Sequence, residues 1–194
     1  MNHTDVHAGL HSRSSINSSP AVSCSPAQLL KCCCVPSSDL AEAVRLGAAK
    51  AELRGRLAAI YADLDARLAA IGAVCLGGGA CCRFDLSGER LYLSTVELAM
   101  LLQSPPPPEH RNPARCPYLA GPRCLARERR PLGCRTFFCD RQAGQSARDL
   151  YEQFHMRIRE LHEEYSIQYF YVNIIEGIEQ IANCEMRIAN FLFR

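Results

Sequence analysis

The sequence predicts a mainly α-helical domain with a short β-hairpin and an irregular, cysteine-rich core flanked by helices. Two stretches, one after residue 38 and one after residue 145, carry apolar residues at three- and four-residue steps. That spacing is typical of amphipathic helices. The stretch between them holds glycine, proline, arginine and cysteine with little periodicity. A segment of this kind is typical of loops that something else must hold in place.

The chain divides into a tail and one domain. Residues 1–38 are rich in serine, histidine and cysteine but poor in core-forming residues, so we expect this tail to be disordered. We assign no function to its Cys32-Cys33-Cys34 run. Residues 39–194 form the predicted single cysteine-cluster domain, with a core over 75–139 and flanking helices over 39–71 and 146–191.

The first flanking helix is the clearest element. Asp39, with Glu42 three residues later, resembles a capping box, and Gly72 supplies a stop. One apolar stripe runs along this helix through Val44, Leu53, Leu57, Ile60, Leu64, Leu68 and Ile71. We therefore predict one continuous helix from Asp39 to Ile71.

The remaining elements are shorter. Arg83 to Leu93 predicts two strands around Ser87-Gly88. Ser94 and Glu97 have the spacing of a second capping box, which opens a helix to about Gln103. Apolar residues at helical spacing then predict two further helices, over residues 146–165 and 172–191.

Cysteine is the compositional outlier, with 12 residues in the chain. No stretch is long and apolar enough for a transmembrane helix, and the N-terminus lacks the apolar region of a signal peptide. We therefore expect a cytoplasmic protein without a membrane partner. Because the cytosol keeps thiols reduced, clustered cysteines there indicate metal ligands rather than disulfides.

Seven cysteines fall in one window of the domain: Cys75, Cys81, Cys82, Cys116, Cys124, Cys134 and Cys139. Thiolates are soft ligands that bind a zinc ion or an iron–sulfur cluster. His110 is the only histidine inside the window, so the predicted ligand set is sulfur alone. The irregular spacing, without two CxxC pairs, favours an iron–sulfur cluster over zinc, and both remain open.

Arginines are concentrated in the same region. Residues 104–141 contain eight arginines and three acidic residues. Such a block is typical of nucleic-acid binding, but guanidinium groups would also offset the negative charge of a thiolate site. Arg135 follows Cys134 directly. Both a donor to a thiolate or substrate anion and a surface arginine are open interpretations of it.

The motifs in this window resemble those of a known family. They are Gly79-Ala-Cys81-Cys82-Arg83-Phe84, Cys116-Pro-Tyr-Leu, Cys124, Arg130-Pro131-Leu and Cys134-Arg135-Thr-Phe-Phe-Cys139. This order resembles the YkgJ-type cysteine-cluster family, a zinc- or iron-chelating domain whose CxxCxxCC motif also occurs in flagellin lysine N-methylases. The resemblance covers about residues 72–141. Gly78 stands where that motif has its second cysteine, which leaves seven thiols and favours a single four-thiolate site.

Four of the seven cysteines would hold the metal. Cys124, Cys134 and Cys139 share a compact segment and are the first choices. Cys81 and Cys82 are adjacent, so we expect their side chains to point apart and only one to bind. Cys116 competes with Cys82 and Cys75 for the last position, while Cys184 is expected to be a buried thiol of the last helix.

The predicted function is therefore metal binding by cysteine thiolates, with an iron–sulfur cluster or a zinc ion as cofactor. The alternative is a zinc-stabilised nucleic-acid module that uses the basic segment 111–141, which the acidic C-terminal half disfavours. The sequence contains no readable catalytic triad, carboxylate pair or cofactor loop. Enzyme activity, substrate and protein partner therefore stay undetermined.

Overall fold

A computed structural model describes residues 38–73, 75, 77–110, 112–137 and 144–192. The helices are α1 (Ser38–Ala49), α2 (Ala51–Ala70), α3 (Phe84–Ser87), α4 (Thr95–Leu101), α5 (Leu132–Thr136), α6 (Gly144–Glu164) and α7 (Ile174–Leu192). Single 3₁₀ turns occupy Ala80–Cys82, Pro108–His110 and Arg127–Arg129. The strands are β1 (Tyr92–Ser94), β2 (Leu119–Ala120), β3 (Arg123–Cys124) and β4 (Tyr171–Asn173). The mainly helical class is confirmed, and the predicted tail up to residue 37 lies outside the described residues.

The prediction of one helix over 39–71 is wrong, because the chain breaks between α1 and α2. Lys50 takes an extended conformation, with φ −88° and ψ 97°. α1 packs against α4 and α7, whereas α2 packs against α6. α1 buries Leu40 and Val44 in one core, whereas α2 buries its apolar residues in another, so the chain must change direction between them. A period in the sequence cannot show such a change.

The predicted hairpin over residues 83–93 is also wrong. Phe84 to Ser87 forms the single turn of α3, which ends at Gly88 with a left-handed φ of 68°. Serine followed by glycine stops a helix as readily as it turns a hairpin. β1 pairs instead with the distant β4, antiparallel, with Leu93 opposite Val172. The short hairpin of the predicted fold class does exist, but it is β2–β3, with Leu119 opposite Cys124.

The helices after the break follow the prediction more closely. α4 begins at Thr95, and the backbone N–H of Ser94 donates to the Glu97 carboxylate at 2.8 Å, as expected for a capping box. α6 and α7 match the two predicted C-terminal helices, while β4 between them was not predicted. Within the described residues, none of the helices combines the length and hydrophobicity needed to traverse a bilayer.

Two hydrophobic cores meet at α4. The first contains residues of α1, α4 and α7, and also the buried Cys116, Tyr118 and Ala126 of the cysteine-rich segment. The second contains residues of α2 and α6 together with Leu132 of α5. α4 contributes Leu98 to the first core and Val96 to the second. The cysteine-rich segment is therefore packed into the same domain as the helices.

Glu97 joins the elements that surround it. Its side chain is only 2% exposed, and one carboxylate oxygen accepts hydrogen bonds from the Tyr61 hydroxyl at 3.0 Å and the Leu132 N–H at 2.7 Å. Burial, and next the nearby charge of Glu97, raise the pKa of Tyr61 well above its ordinary value, so Tyr61 stays protonated as the donor. Through this one group, α4 is tied to α2 and to the start of α5.

Replacement of Glu97 by alanine should destabilise the protein by about 3–5 kcal/mol. The change leaves the Tyr61 hydroxyl and two backbone N–H groups buried without an acceptor. Urea unfolding measures the loss. Glu163→Ala is the matched control on an exposed position, where we expect a change within about 0.5 kcal/mol. Equal midpoints for the two variants would contradict the role of Glu97.

His162 is a second buried polar group, at the end of α6. It is 3% exposed, and its Nδ1 lies 3.1 Å from the Ile167 carbonyl, to which it donates. The Tyr169 ring contacts it edge-on at 4.9 Å between centroids. Burial lowers the pKa of His162 below its ordinary value. Below the unfolded-state pKa, the unfolded chain therefore binds a proton that the folded protein resists.

Stability should accordingly fall as the pH drops from about 6.5 toward the lower folded-state pKa of His162. Above pH of about 6.5, His162 should make no pH-dependent contribution to stability. His162→Asn keeps a donor for the Ile167 carbonyl but cannot titrate. Urea unfolding between pH 5 and pH 8 should give a shallower acid slope for this variant, by up to about 1.4 kcal/mol per pH unit. Parallel slopes for the two proteins would refute the assignment.

Candidate metal centre

Cys81 and Cys82 lie in the 3₁₀ turn over Ala80–Cys82. Gly79 precedes this turn with a left-handed φ of 69°, and a Cβ there would lie 3.0 Å from the Leu119 side chain. Glycine thus lets the turn pack against the β2–β3 hairpin. The two Sγ atoms are 4.0 Å apart, so the expectation that these side chains point apart is wrong. The tight turn places both on one side.

Cys116 and Cys124 reach the same place from the next segment. The Cys116 N–H donates to the Cys82 carbonyl at 2.8 Å, beside an isolated bridge between Arg83 and Arg115. The Cys116 side chain is buried, and its thiol is near enough to raise the pKa of Cys82. Cys124 lies on β3 and is half-buried. The segment from Cys116 to Cys124, which includes the hairpin, therefore brings a second pair of thiols near Cys81 and Cys82.

Cys134 comes from α5, the helix whose first N–H donates to Glu97. Burial raises the pKa of the Cys134 thiol well above its ordinary value. The charges of Cys82, Cys124 and Cys81 raise it further, since a thiolate would lie near other thiolates, while Arg130 opposes this effect. These mutual effects place Cys134 among the other thiols.

The electrostatic effects among these thiols link Cys82 with each of the other four. Its pKa is raised to about 12, first by the hydrogen bond with Cys116 and then by burial, against a lowering by Cys81. Cys124 raises it as well, and Cys82 in turn acts on Cys134. We define the thiol cluster as these five residues: Cys81, Cys82, Cys116, Cys124 and Cys134. They come from three separate segments of the chain.

The other two predicted ligands, Cys75 and Cys139, are not among the five residues that define the thiol cluster. Cys75 is half-buried, and in the described part of the chain no hydrogen bond or electrostatic effect links it to the thiol cluster. Cys139 lies outside the described residues. Cys184 is buried on α7 in the first core, the same core that contains Cys116.

The donor chemistry of the thiol cluster suits a soft metal, because thiolates are preferred by zinc and by iron–sulfur clusters. Across the ranges that the structure describes, however, no three or more histidine, cysteine or acidic side chains are arranged to hold a metal ion. The distance between Cys81 and Cys82 Sγ is 4.0 Å, against about 3.8 Å for two thiolates on one tetrahedral zinc with 2.3 Å bonds. At least this pair is spaced for a shared ion.

Arg135 follows neither of its two predicted interpretations. It is 6% exposed and pairs with Asp65 of α2, while its guanidinium also donates to the Arg130 and Glu128 carbonyls, both at 2.7 Å. The Cζ atom of its guanidinium group lies 4.3 Å from the centroid of the Tyr61 ring. Arg135 is therefore neither a surface group nor, in this geometry, a thiolate donor. It fixes the loop that joins Cys124 to Cys134.

The other arginines of the basic block are divided between several environments. Arg130 is half-buried and lowers the pKa values of Cys81 and Cys134 by its positive charge, against the larger raising effects. Arg115, Arg123 and Arg127 are exposed. Arg111 and Arg141 lie outside the described residues. The predicted role of arginine in offsetting thiolate charge thus has one described participant, Arg130.

A cavity of about 170 Å³ opens beside the thiol cluster. Cys81, Cys82, Cys116 and Cys134 contribute to its wall. Its lining also includes aromatic residues, among them Tyr151 of α6 and Tyr171 of β4. Sequence reasoning missed these tyrosines, because they are distant along the chain from every cysteine of the window and follow no motif.

Replacement of Arg135 by lysine should destabilise the protein by about 2–4 kcal/mol, because an ammonium group cannot reach Asp65 and two carbonyls while stacking on Tyr61. Amide hydrogen exchange should accelerate in residues 127–134 beyond the global change. Arg127→Lys, on the exposed side of the same loop, is the matched control and should change neither quantity. Slow exchange in the Arg135 variant would show that other contacts hold the loop.

Comparisons with protein-family models, with curated proteins and with solved structures found no match. The resemblance to the YkgJ-type family therefore rests on the quoted motifs alone.

Proposed function

We propose that this protein binds a metal through the thiol cluster, as a zinc ion or an iron–sulfur centre. The observation that carries the proposal is the position of Cys82, whose Sγ lies 4.0 Å from that of Cys81 and which lines one cavity together with Cys81, Cys116 and Cys134. Cys124 is near enough to raise the pKa of Cys82. Thiols that are brought together from distant segments without forming disulfides are typical of metal sites in reducing compartments.

The described contacts support a particular ligand set. Cys82, Cys116, Cys124 and Cys134 come from three segments and are linked through Cys82, which suits a four-thiolate site. Cys81 is the adjacent fifth thiol and would replace one of these or remain beside the site. Compared with the sequence-based choice, the set keeps Cys124 and Cys134 and gives Cys82 and Cys116 preference over Cys75. Cys139 stays a prediction.

Metal binding requires movement within the cluster, because the thiols as described do not yet form a group that could hold an ion. Rotation about χ1 moves a cysteine Sγ between staggered positions without any change in the backbone. Metal binding would also remove the thiol protons, since only thiolates coordinate zinc or iron.

Where Cys81 replaces one of the four proposed ligands, its spacing from Cys82 favours a single zinc ion over a [4Fe–4S] cluster. Two thiolates on one zinc lie about 3.8 Å apart. In a [4Fe–4S] cluster each of the four thiolates binds a different iron, so the sulfurs lie further apart, whereas a [2Fe–2S] cluster has two thiolates on each iron. The 4.0 Å separation is closer to the first case. The irregular spacing in the sequence favours the second, and metal analysis decides between them.

The decisive experiment is metal analysis of protein purified anaerobically without added chelator. We expect about one zinc per chain in colourless protein, whereas brown protein with several irons per chain would assign a cluster to the same site. Cys82→Ser and Cys134→Ser should each weaken metal affinity by more than the roughly 10–100-fold that is typical of losing an outer-shell contact.

Cys75→Ser is the matched control, because Cys75 lies in the same window but outside the thiol cluster. Its metal affinity should stay within a factor of about two of the wild type. Full occupancy in the Cys82 and Cys134 variants, or metal-free wild-type protein even after incubation with zinc under reducing conditions, would rule the proposal out.

A further inference from the structure

The cavity beside the thiol cluster has the size of a small organic molecule. Its volume is about 170 Å³, close to the roughly 150 Å³ of an engineered protein cavity that binds benzene. Tyr92, Phe137 and Tyr171, which contribute to its lining, are each between 37% and 42% exposed, so solutes can reach it from the surface. The cavity thus connects the thiols with solvent.

Five aromatic residues contribute to the lining of the cavity. They are Phe84, Tyr92, Phe137, Tyr151 and Tyr171. Tyr92 and Tyr171 stack with centroids 5.6 Å apart and an angle of 22° between their planes, which fixes the orientation of this wall. Aromatic walls favour ring-shaped ligands, because offset stacking and edge-to-face contacts add to the burial of apolar area.

One polar pair lies within this aromatic wall. The hydroxyl oxygens of Tyr151 and Tyr171 are 2.5 Å apart, and among the described residues neither makes another hydrogen bond. A hydrogen bond between two hydroxyls uses only one of their two protons. Burial raises the pKa of Tyr151, so its hydroxyl keeps its proton. The second proton is available to an acceptor atom on a ligand.

The charges that line the cavity balance each other. Glu89 and Arg90 are the charged residues of its lining, have opposite signs and are both exposed. A charged ligand would therefore lack a buried counter-charge, which makes its desolvation costly. The lining favours a neutral molecule.

We infer that this cavity binds a small, neutral, single-ring aromatic molecule with an oxygen acceptor that accepts a hydrogen bond from the Tyr151–Tyr171 pair. The inference deepens the proposed function and rests on it in one respect: the bound molecule would lie against the thiols that we propose to hold the metal. The cavity itself is lined by residues of this chain. The metal site would accordingly be open to a ligand rather than closed and purely structural.

Phenol and toluene are matched probes for this inference, since they share a ring and a similar size but differ in the hydroxyl group. Ligand-observed NMR titrations of the full chain should detect both, with phenol bound about five-fold more tightly through one hydrogen bond. In the double variant Tyr151→Phe with Tyr171→Phe, phenol should lose this advantage while toluene binding stays unchanged. Tyr169→Phe is the control, because its hydroxyl lies against His155 instead.

Leu91→Trp should block both probes by filling the cavity. Circular dichroism establishes that each variant is folded. Binding of neither probe by the wild type, or unchanged phenol binding in the folded double variant, would overturn the inference. Metal content, measured on the same samples, separates the two proposals. Zinc without phenol binding overturns only the cavity inference, and phenol binding without metal overturns only the metal site.

Discussion

The Glu97 carboxylate is the constraint on which the rest of this structure depends. It is buried where the two hydrophobic cores meet, and it accepts hydrogen bonds from α2, from the N-terminus of α4 and from the first residue of α5. α5 carries Cys134 only two residues further on. A single acidic side chain thus sets the position of a proposed metal ligand relative to the helical scaffold. Arg135 extends the same connection by binding α2 and two carbonyls of the preceding loop.

The thiol cluster is held together by contacts that do not involve a metal. The backbone hydrogen bond from Cys116 to Cys82 joins the first two segments of the cluster. Glu97 and Arg135 fix the third segment, which carries Cys134. The irregular sequence between the flanking helices suggested that bound metal organises this region. The structure contains other anchors there, including the buried Tyr118, whose hydroxyl donates to the Leu101 carbonyl. Because the surrounding backbone is already anchored, ion binding would need only local adjustment of the thiols.

The cavity adds a second component from the C-terminal half. Tyr151 and Tyr171 come from α6 and from β4, and the pairing of β4 with β1 brings Tyr171 next to Tyr92. Tyr151 and Tyr171 therefore reach the thiols from the C-terminal half, through the packing of α6 on α5 and the pairing of β4 with β1. A metal site beside a ligand cavity could take part in reactions that a closed structural site cannot, since a bound molecule could contact the metal.

The sequence by itself determined the local features of this protein: the helical periods, the start of α4 at Ser94 and Glu97, and the window that contains all five thiols. Each depends on neighbours within a few residues, so it can be read from spacing. Only the tertiary structure decided the break at Lys50, the pairing of β1 with β4, the burial of Arg135 and the grouping of Cys82 with Cys116. These features depend on which distant surfaces pack together, and neither period nor motif in one segment records the position of another.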